Sequence, residues 1–220
     1  MAQKLIKNSK LTNRTLGKLV DFFVLEVTAI KAARRLKINR HSAEGVYQKI
    51  RMKLLEACER EAVFRGEVEV DESYFGGLQK GGRGRQVITK VPVFGILKRN
   101  GHAYTKVLED VTRYTLEKII RSKIPLDTVI YSDGFTAYQG LVVYGYKHHR
   151  IDHSKHLALS KTHHINGIEN FWGYAKTRMR KYHGISRKHF LYYLKEMEFR
   201  FNHRKDPDLT KTIKRLLIYH

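Results

Sequence analysis

The stretch from Asn166 to Lys176, Asn-Gly-Ile-Glu-Asn-Phe-Trp-Gly-Tyr-Ala-Lys, constrains this chain most. Wound as a helix, it sets Ile168, Phe171, Trp172, Ala175 and Met179 on one apolar stripe. Glu169, Gly173, Lys176 and Arg180 keep helical spacing along another face. One acid, one position without a side chain and two cations then share a line. The apolar face anchors the helix. The other face offers a candidate metal ligand followed by candidate phosphate-binding charges. Asn166 with Glu169 three residues on is also an N-cap and capping-box pattern, so Glu169 by itself is open to both readings.

Charge narrows the partner. Forty-three Lys and Arg against twenty-one Asp and Glu give a formal +22 over 220 residues. The cations are spread along the whole chain, so the folded body is expected to be basic and to bind a polyanion, nucleic acid first, along an extended path. An apolar fraction of 42% fits a globular protein with a real core. No run of about 18 apolar residues suggests a membrane span. Residues 1–7 lack the apolar segment of a signal peptide. The single cysteine, Cys58, excludes an intramolecular disulfide and a multi-cysteine zinc knuckle. A reducing, cytoplasmic setting is expected.

Residues 1–60 read as a small helical domain. Leu16, Leu19, Val20, Phe23, Val24 and Val27 keep helical spacing, and Thr28 can cap a short helix carrying Ala29, Ala32, Ala33 and Leu36. After a break at residues 37–41, Ser42 is expected to cap a longer helix with Val46, Ile50, Leu54 and Ala57 inward. Short helix, tight turn and long helix is the helix-turn-helix plan. Its polar residues Arg40, His41, Glu44, Gln48, Lys49 and Arg51 are candidates for base or phosphate contact; plain bundle packing is the alternative.

From residue 61 the pattern changes. Val68 and Val70 alternate with Glu67, Glu69 and Asp71, which predicts a half-buried strand. Lys80-Gly81-Gly82-Arg83-Gly84-Arg85 reads as a phosphate-seeking loop, with Arg83 and Arg85 as DNA contacts, or as a solvated hairpin turn. It is not a Walker loop. Strands near 91–98 and 104–108, joined by Arg99-Asn100-Gly101, complete an antiparallel meander. A helix over 111–125 and a strand at 128–132, parallel to the first, follow. Residues 141–151 suggest a fifth strand. His148, His149, His153, His156, His163 and His164 crowd the next segment, but their spacing fits no zinc site without cysteine partners. Ser186 is expected to cap a helix carrying Phe190, Leu194, Met197 and Phe201. Residues 206–220 read as a basic tail.

Three acids remain. Asp71 closes the first strand, Asp133 the fourth, and Glu169 opens the later helix. Asp133-Gly134 is also an ordinary turn dipeptide. On a sheet of three antiparallel strands followed by a parallel one, these acids can converge. Carboxylates about 4 Å apart repel by a few kcal/mol, a cost that divalent cations remove. Oxygen-only ligands suit Mg²⁺ or Mn²⁺, and two such ions serve in-line displacement at phosphorus.

Val-Asp-Glu-Ser-Tyr-Phe-Gly-Gly at 70–77, Tyr-Ser-Asp-Gly-Phe-Thr-Ala-Tyr at 131–138 and the 166–176 stretch resemble the ISXO-type insertion-sequence transposases. Thirty-five residues separate Asp133 from Glu169, as in many such enzymes. Arg200-Phe201-Asn202-His203-Arg204 resembles the family's closing signature. The resemblance spans roughly residues 60–205. It implies an α/β, ribonuclease H-like mixed sheet flanked by helices over 61–205, preceded by the helix-turn-helix domain at 1–60 and followed by the tail at 206–220. It implies an Asp-Asp-Glu triad, Asp71, Asp133 and Glu169, holding two Mg²⁺ or Mn²⁺ ions. Lys176 would position a phosphate near the cut, and Arg178 and Arg180 would follow the strand; a helix salt bridge for Lys176 is the alternative. Some relatives use Asn where this chain would use Glu, which brings Asn166 and Asn170 into consideration. Trp172 either packs in the core or stacks on a flipped base. Many relatives carry a cysteine zinc ribbon near the N-terminus, and this chain has none, so residues 1–60 would grip DNA by helices alone.

The implied reaction is hydrolysis at the element's end, then attack of the freed 3′-hydroxyl on target DNA. A nuclease or resolvase on the same fold, and a DNA-binding protein without catalysis, are the alternatives. Double-stranded DNA is the expected partner. A homo-oligomer, dimer or larger, in a bacterial cytosol and close to the nucleoid, is expected by analogy with the task of pairing two ends.

Overall fold

A computed structural model describes residues 4–60, 64–76, 78–80, 86–88, 90–99, 101–151, 165–182 and 184–219. The chain divides into two compact units, residues 1–61 with 179–220, and residues 62–178. No helix among the described residues is long and apolar enough to cross a membrane.

The first unit is all helical: α1 (Asn13–Val24), α2 (Ala29–Leu36), α3 (Arg40–Arg60), α6 (Arg187–Asn202) and α7 (Leu209–Tyr219). Thr12 and Thr28 cap α1 and α2 by accepting the Thr15 and Lys31 amides. Lys37, in the left-handed region at φ 53°, ends α2. The cap of α3 differs from expectation. Asn39 Oδ1 accepts the His41 amide at 2.8 Å, so the helix opens at Arg40, two residues before Ser42. Leu16, Leu19, Val20, Phe23, Ile50, Leu54, Phe199 and Ile213 bury one core.

That core contains charges. Glu196 of α6 accepts from Arg51 Nε at 2.7 Å and from Arg200 Nε at 2.9 Å. Arg200 Nη1 also donates to the Val24 carbonyl at 3.1 Å, satisfying the C-terminal end of α1. Arg51 is 5% exposed and its guanidinium lies 3.8 Å over the Tyr193 ring. This corrects the expectation that Arg51 is a surface contact: removing a bonded guanidinium from its buried acid is too costly to serve a phosphate. Two boundaries also move. Helix α6 packs on α3 rather than belonging with the strands, and the expected tail at 206–220 contains α7, whose Ile213 is 1% exposed.

The second unit is built on a five-stranded mixed sheet, in the order β5-β4-β1-β6-β7. Its strands are β1 (Glu67–Phe75), β4 (Val91–Lys98), β5 (Ala103–Val107), β6 (Val129–Ser132) and β7 (Lys147–Arg150). Strand β1 pairs antiparallel with β4 and parallel with β6. The crossover between β5 and β6 runs through α4 (Arg113–Lys123), capped by Thr112. A separate hairpin, β2 (Leu78–Lys80) with β3 (Gln86–Ile88), brackets residues 81–85. Arg83 and Arg85 lie outside the described residues, as do His153, His156, His163 and His164. This is an α/β mixed sheet with flanking helices, as the resemblance implies.

One face of the sheet is apolar: Val68, Val70, Phe94, Ile96 and Ile130 meet Leu116 and Ile120 of α4. The other face of β1 was expected to meet water, because Glu69 and Asp71 point there. Glu69 is instead 1% exposed. Helix α5 (Asn166–Met179) covers it, with Ile168, Phe171, Trp172 and Ala175 buried. Charge on the covered face therefore has to be matched by donors on α5.

Replacing Glu196 with Gln leaves two buried guanidinium groups without their countercharge. The helical unit should lose about 3 kcal/mol, read as a lower denaturation midpoint by circular dichroism.

Candidate active site

Helix α5 reaches the sheet through two glycines. A Cβ on Gly95 of β4 would stand 2.5 Å from Trp172 Cζ2, and one on Gly167 would stand 2.6 Å from Leu97 Cδ2. Both distances are inside van der Waals contact, so a side chain at Gly95 would displace the indole and one at Gly167 would require Leu97 and Glu69 to shift. Two polar bonds lock the approach. Glu69 Oε2 accepts the Ile168 amide at 2.8 Å, taking one of the orphan donors at the start of α5. Trp172 Nε1 donates to Asp71 Oδ2 at 2.9 Å. Arg99 Nε stands 3.4 Å from Glu69 Oε1, and its guanidinium lies 3.7 Å over Tyr131.

The register sets the acids. Val70 pairs with Ser132 on parallel strands. One step further along both lie Asp71 and Asp133, at the same level on strands about 4.8 Å apart. Asp133 also shapes its turn, its Oδ1 accepting the Phe135 amide at 3.0 Å. The turn role and the site role coexist. Burial, then Asp133, then more weakly Glu169 push the Asp71 carboxyl up to about 6, against the pull of the Trp172 bond. Asp133 and Glu169 both act on Asp71, so the three acids occupy one locality. Among the described residues no three of His, Cys, Asp or Glu stand close enough to form a ready-made ion cage. Asp71, Asp133 and Glu169 offer oxygen alone, the donor chemistry that suits a hard divalent cation.

Glu72 is an acid the sequence reading passed over. It lies on the opposite face of β1 from Asp71, and Tyr138 donates to its Oε1. Burial raises its carboxyl to about 7, with Asp71 and Asp133 adding to the rise. Burial and Glu72 also push Tyr138 well up. The signal was present, since Glu72 follows Asp71 directly and Tyr138 ends the motif holding Asp133. Neither residue announces a partner 66 positions away.

The cations sort unevenly. Lys176, half-buried on α5, has its Nζ 5.6 Å from the Phe75 ring. Arg178 lies 3.7 Å over Tyr174, and Arg180 is exposed. Arg40 and Lys49 on α3 are exposed, Gln48 is half-buried, and His41 is exposed beside Glu44 at 3.4 Å. Arg40 also pairs with Glu44 at 2.7 Å. On β7, His148 Nε2 meets Ser132 Oγ at 2.9 Å and His149 stacks on Tyr131 at 5.3 Å. These two histidines serve the strand. Asn166 and Asn170 are exposed.

Residues 63–202 match the ISXO2-like transposase domain, and the chain belongs to that family. An uncharacterized transposase-like protein of Haemophilus influenzae is 42% identical over 114 residues, covering 52% of this chain and 92% of that one. Among solved structures, the catalytic domain of Mos1 mariner transposase is similar at 13% identity, with a TM-score of 0.39, over 78% of this chain and 90% of that one. A chain of the simian T-cell lymphotropic virus intasome is similar at 14% identity and a TM-score of 0.40, over 84% of this chain and 68% of that one.

The crowded carboxyls make stability depend on pH. Asp71 titrates near 6 when folded and near 3.8 in its ordinary state, so the folded chain holds the proton over that interval. Stability conferred by protonation is present at low pH and is lost as pH rises through about 6. The ion-free protein should therefore lose about 1 kcal/mol more between pH 5 and 7.5 than its Asp71→Asn variant. Differential scanning calorimetry of both proteins in a chelating buffer measures it.

Proposed function

We propose that this chain is a DNA transposase that cuts the ends of an insertion sequence and joins the freed 3′-hydroxyl to target DNA. Asp71, Asp133 and Glu169 would hold Mg²⁺ or Mn²⁺, as two ions. Bound there, such ions neutralise the carboxylates, activate an attacking oxygen and stabilise the leaving oxygen at phosphorus. The observation that carries the reading is Asp71: burial first, then Asp133 and more weakly Glu169, from separate elements, raise its carboxyl in a chain of a transposase family.

The chain's own residues divide the remaining work. Strands β1 and β6 hold Asp71 and Asp133 at one level, so the two carboxylates face a single phosphate. Lys176, seven residues after Glu169, would neutralise a phosphate next to the cut, and Arg178 and Arg180 would follow the strand. Arg40, His41, Gln48 and Lys49 on α3 would read or grip the element's end, with Arg83 and Arg85 adding phosphate contacts. Double-stranded DNA is the partner, and a homo-oligomer assembled on paired ends is the working form, in the cytoplasm near the nucleoid. Phosphate contacts of this number would make binding fall steeply with salt.

Labelled element ends, a target plasmid and Mg²⁺ test the reading. Joined products are expected. Cuts without joining would make the chain a nuclease or resolvase, and retention of DNA without chemistry would make it a binding protein. Asp133→Asn should lower joining by about 10³-fold or more and leave DNA retention within about twofold, because the carboxylate serves the reaction rather than the grip.

A further inference from the structure

The chain has one tryptophan, and it touches the candidate site directly. Trp172 leaves α5 three residues after Glu169 and is 5% exposed. A ring so buried cannot accept a stacked base, which closes one of the two readings its position allowed. Indole N–H is a donor only and a carboxylate an acceptor only, so the 2.9 Å bond to Asp71 has a single direction. The ring itself is closely packed. Phe75 packs against it edge-on at 5.9 Å, Phe171 lies at 5.0 Å, and Gly95 leaves no space beneath it. A donor held this firmly removes the rotational freedom of the carboxyl it binds.

We propose that Trp172 is a positioning residue for the cation site: its indole N–H holds the Asp71 carboxylate in the orientation that receives a divalent ion. The inference rests on the reading of Asp71 as a metal ligand. Helix α5 then contributes twice, once as the element bearing Glu169 and once as the strut that aims the ligand on β1. Such outer partners orient ligands and set their basicity, and their loss characteristically costs 10–100-fold in metal affinity. The purpose of Gly95 follows as well, since any side chain there would push the indole away from Asp71.

Trp172→Phe keeps the ring bulk and deletes the donor. Calorimetric titration of the full chain with Mn²⁺, without DNA, should show about tenfold weaker binding in this variant than in wild type. Retention of DNA and the far-ultraviolet circular dichroism spectrum should be unchanged, which a merely packing role for the N–H would also give, so Mn²⁺ affinity decides. Equal affinity in wild type and Trp172→Phe overturns the proposal alone. Binding that survives in Asp71→Asn, or no binding in wild type, overturns the ligand reading and the proposal with it. Should the Phe variant fail to fold, ¹⁵N-labelled wild type keeps the question open to measurement. Its one indole N–H resonance should move on Mg²⁺ addition, and should not move in Asp133→Asn, where Asp71 is intact. A resonance that ignores Mg²⁺ while calorimetry records binding overturns the proposal.

Discussion

Helix α5 lies close against β1 and β4, with Gly95 leaving room for its indole, and the rest of the strand unit is arranged around that approach. Gly95 admits the indole and Gly167 admits the turn of helix above Leu97. Close approach alone would leave Glu69 buried and charged, a state that costs several kcal/mol without partners. The Ile168 amide and the Arg99 guanidinium supply them. The helix position is thereby fixed by packing, by a bond at its first turn and by a bond at its middle. Glu169 and Lys176 are carried on this helix, and their placement follows its seating.

The same seating places opposed demands on Asp71. Burial and two neighbouring acids disfavour its charge, while the indole favours it. A core evolved for stability alone would replace one acid by an amide. Retaining the carboxyls keeps the ion-free fold below its attainable stability, and the proposed cation-binding role supplies a reason for that cost.

Much of this was legible in the sequence. The antiparallel meander, the parallel step from β1 to β6 and the apolar stripe of α5 follow from periodicity and turn chemistry, whereas the triad of Asp71, Asp133 and Glu169 is what the family resemblance implies. What escaped had a common cause: a partner distant along the chain. Glu67, Glu69 and Asp71 alternate with valines in the manner of a water-facing edge, and nothing local says that a helix about 100 residues later covers Glu69. Arg51 looked like a surface cation because its acid, Glu196, lies 145 residues on. Residues 206–220 looked like a tail because a basic composition masks the apolar side of α7, whose Ile213 is deeply buried. Asn39 displaced Ser42 as the cap of α3 for a local reason, a better-placed side-chain acceptor, and such boundaries are the least determined part of any reading.

The helical unit is assembled from two stretches that flank the strand unit, residues 1–61 and 179–220. During synthesis the strand unit has all its elements as soon as residue 178 is made, whereas α1 to α3 must wait with an uncovered apolar flank and an Arg51 lacking its acid. Order of manufacture and order of maturation therefore differ. A nascent chain would complete its middle before its beginning, and fragments ending near residue 178 would expose a sticky three-helix remnant to chaperones and proteases.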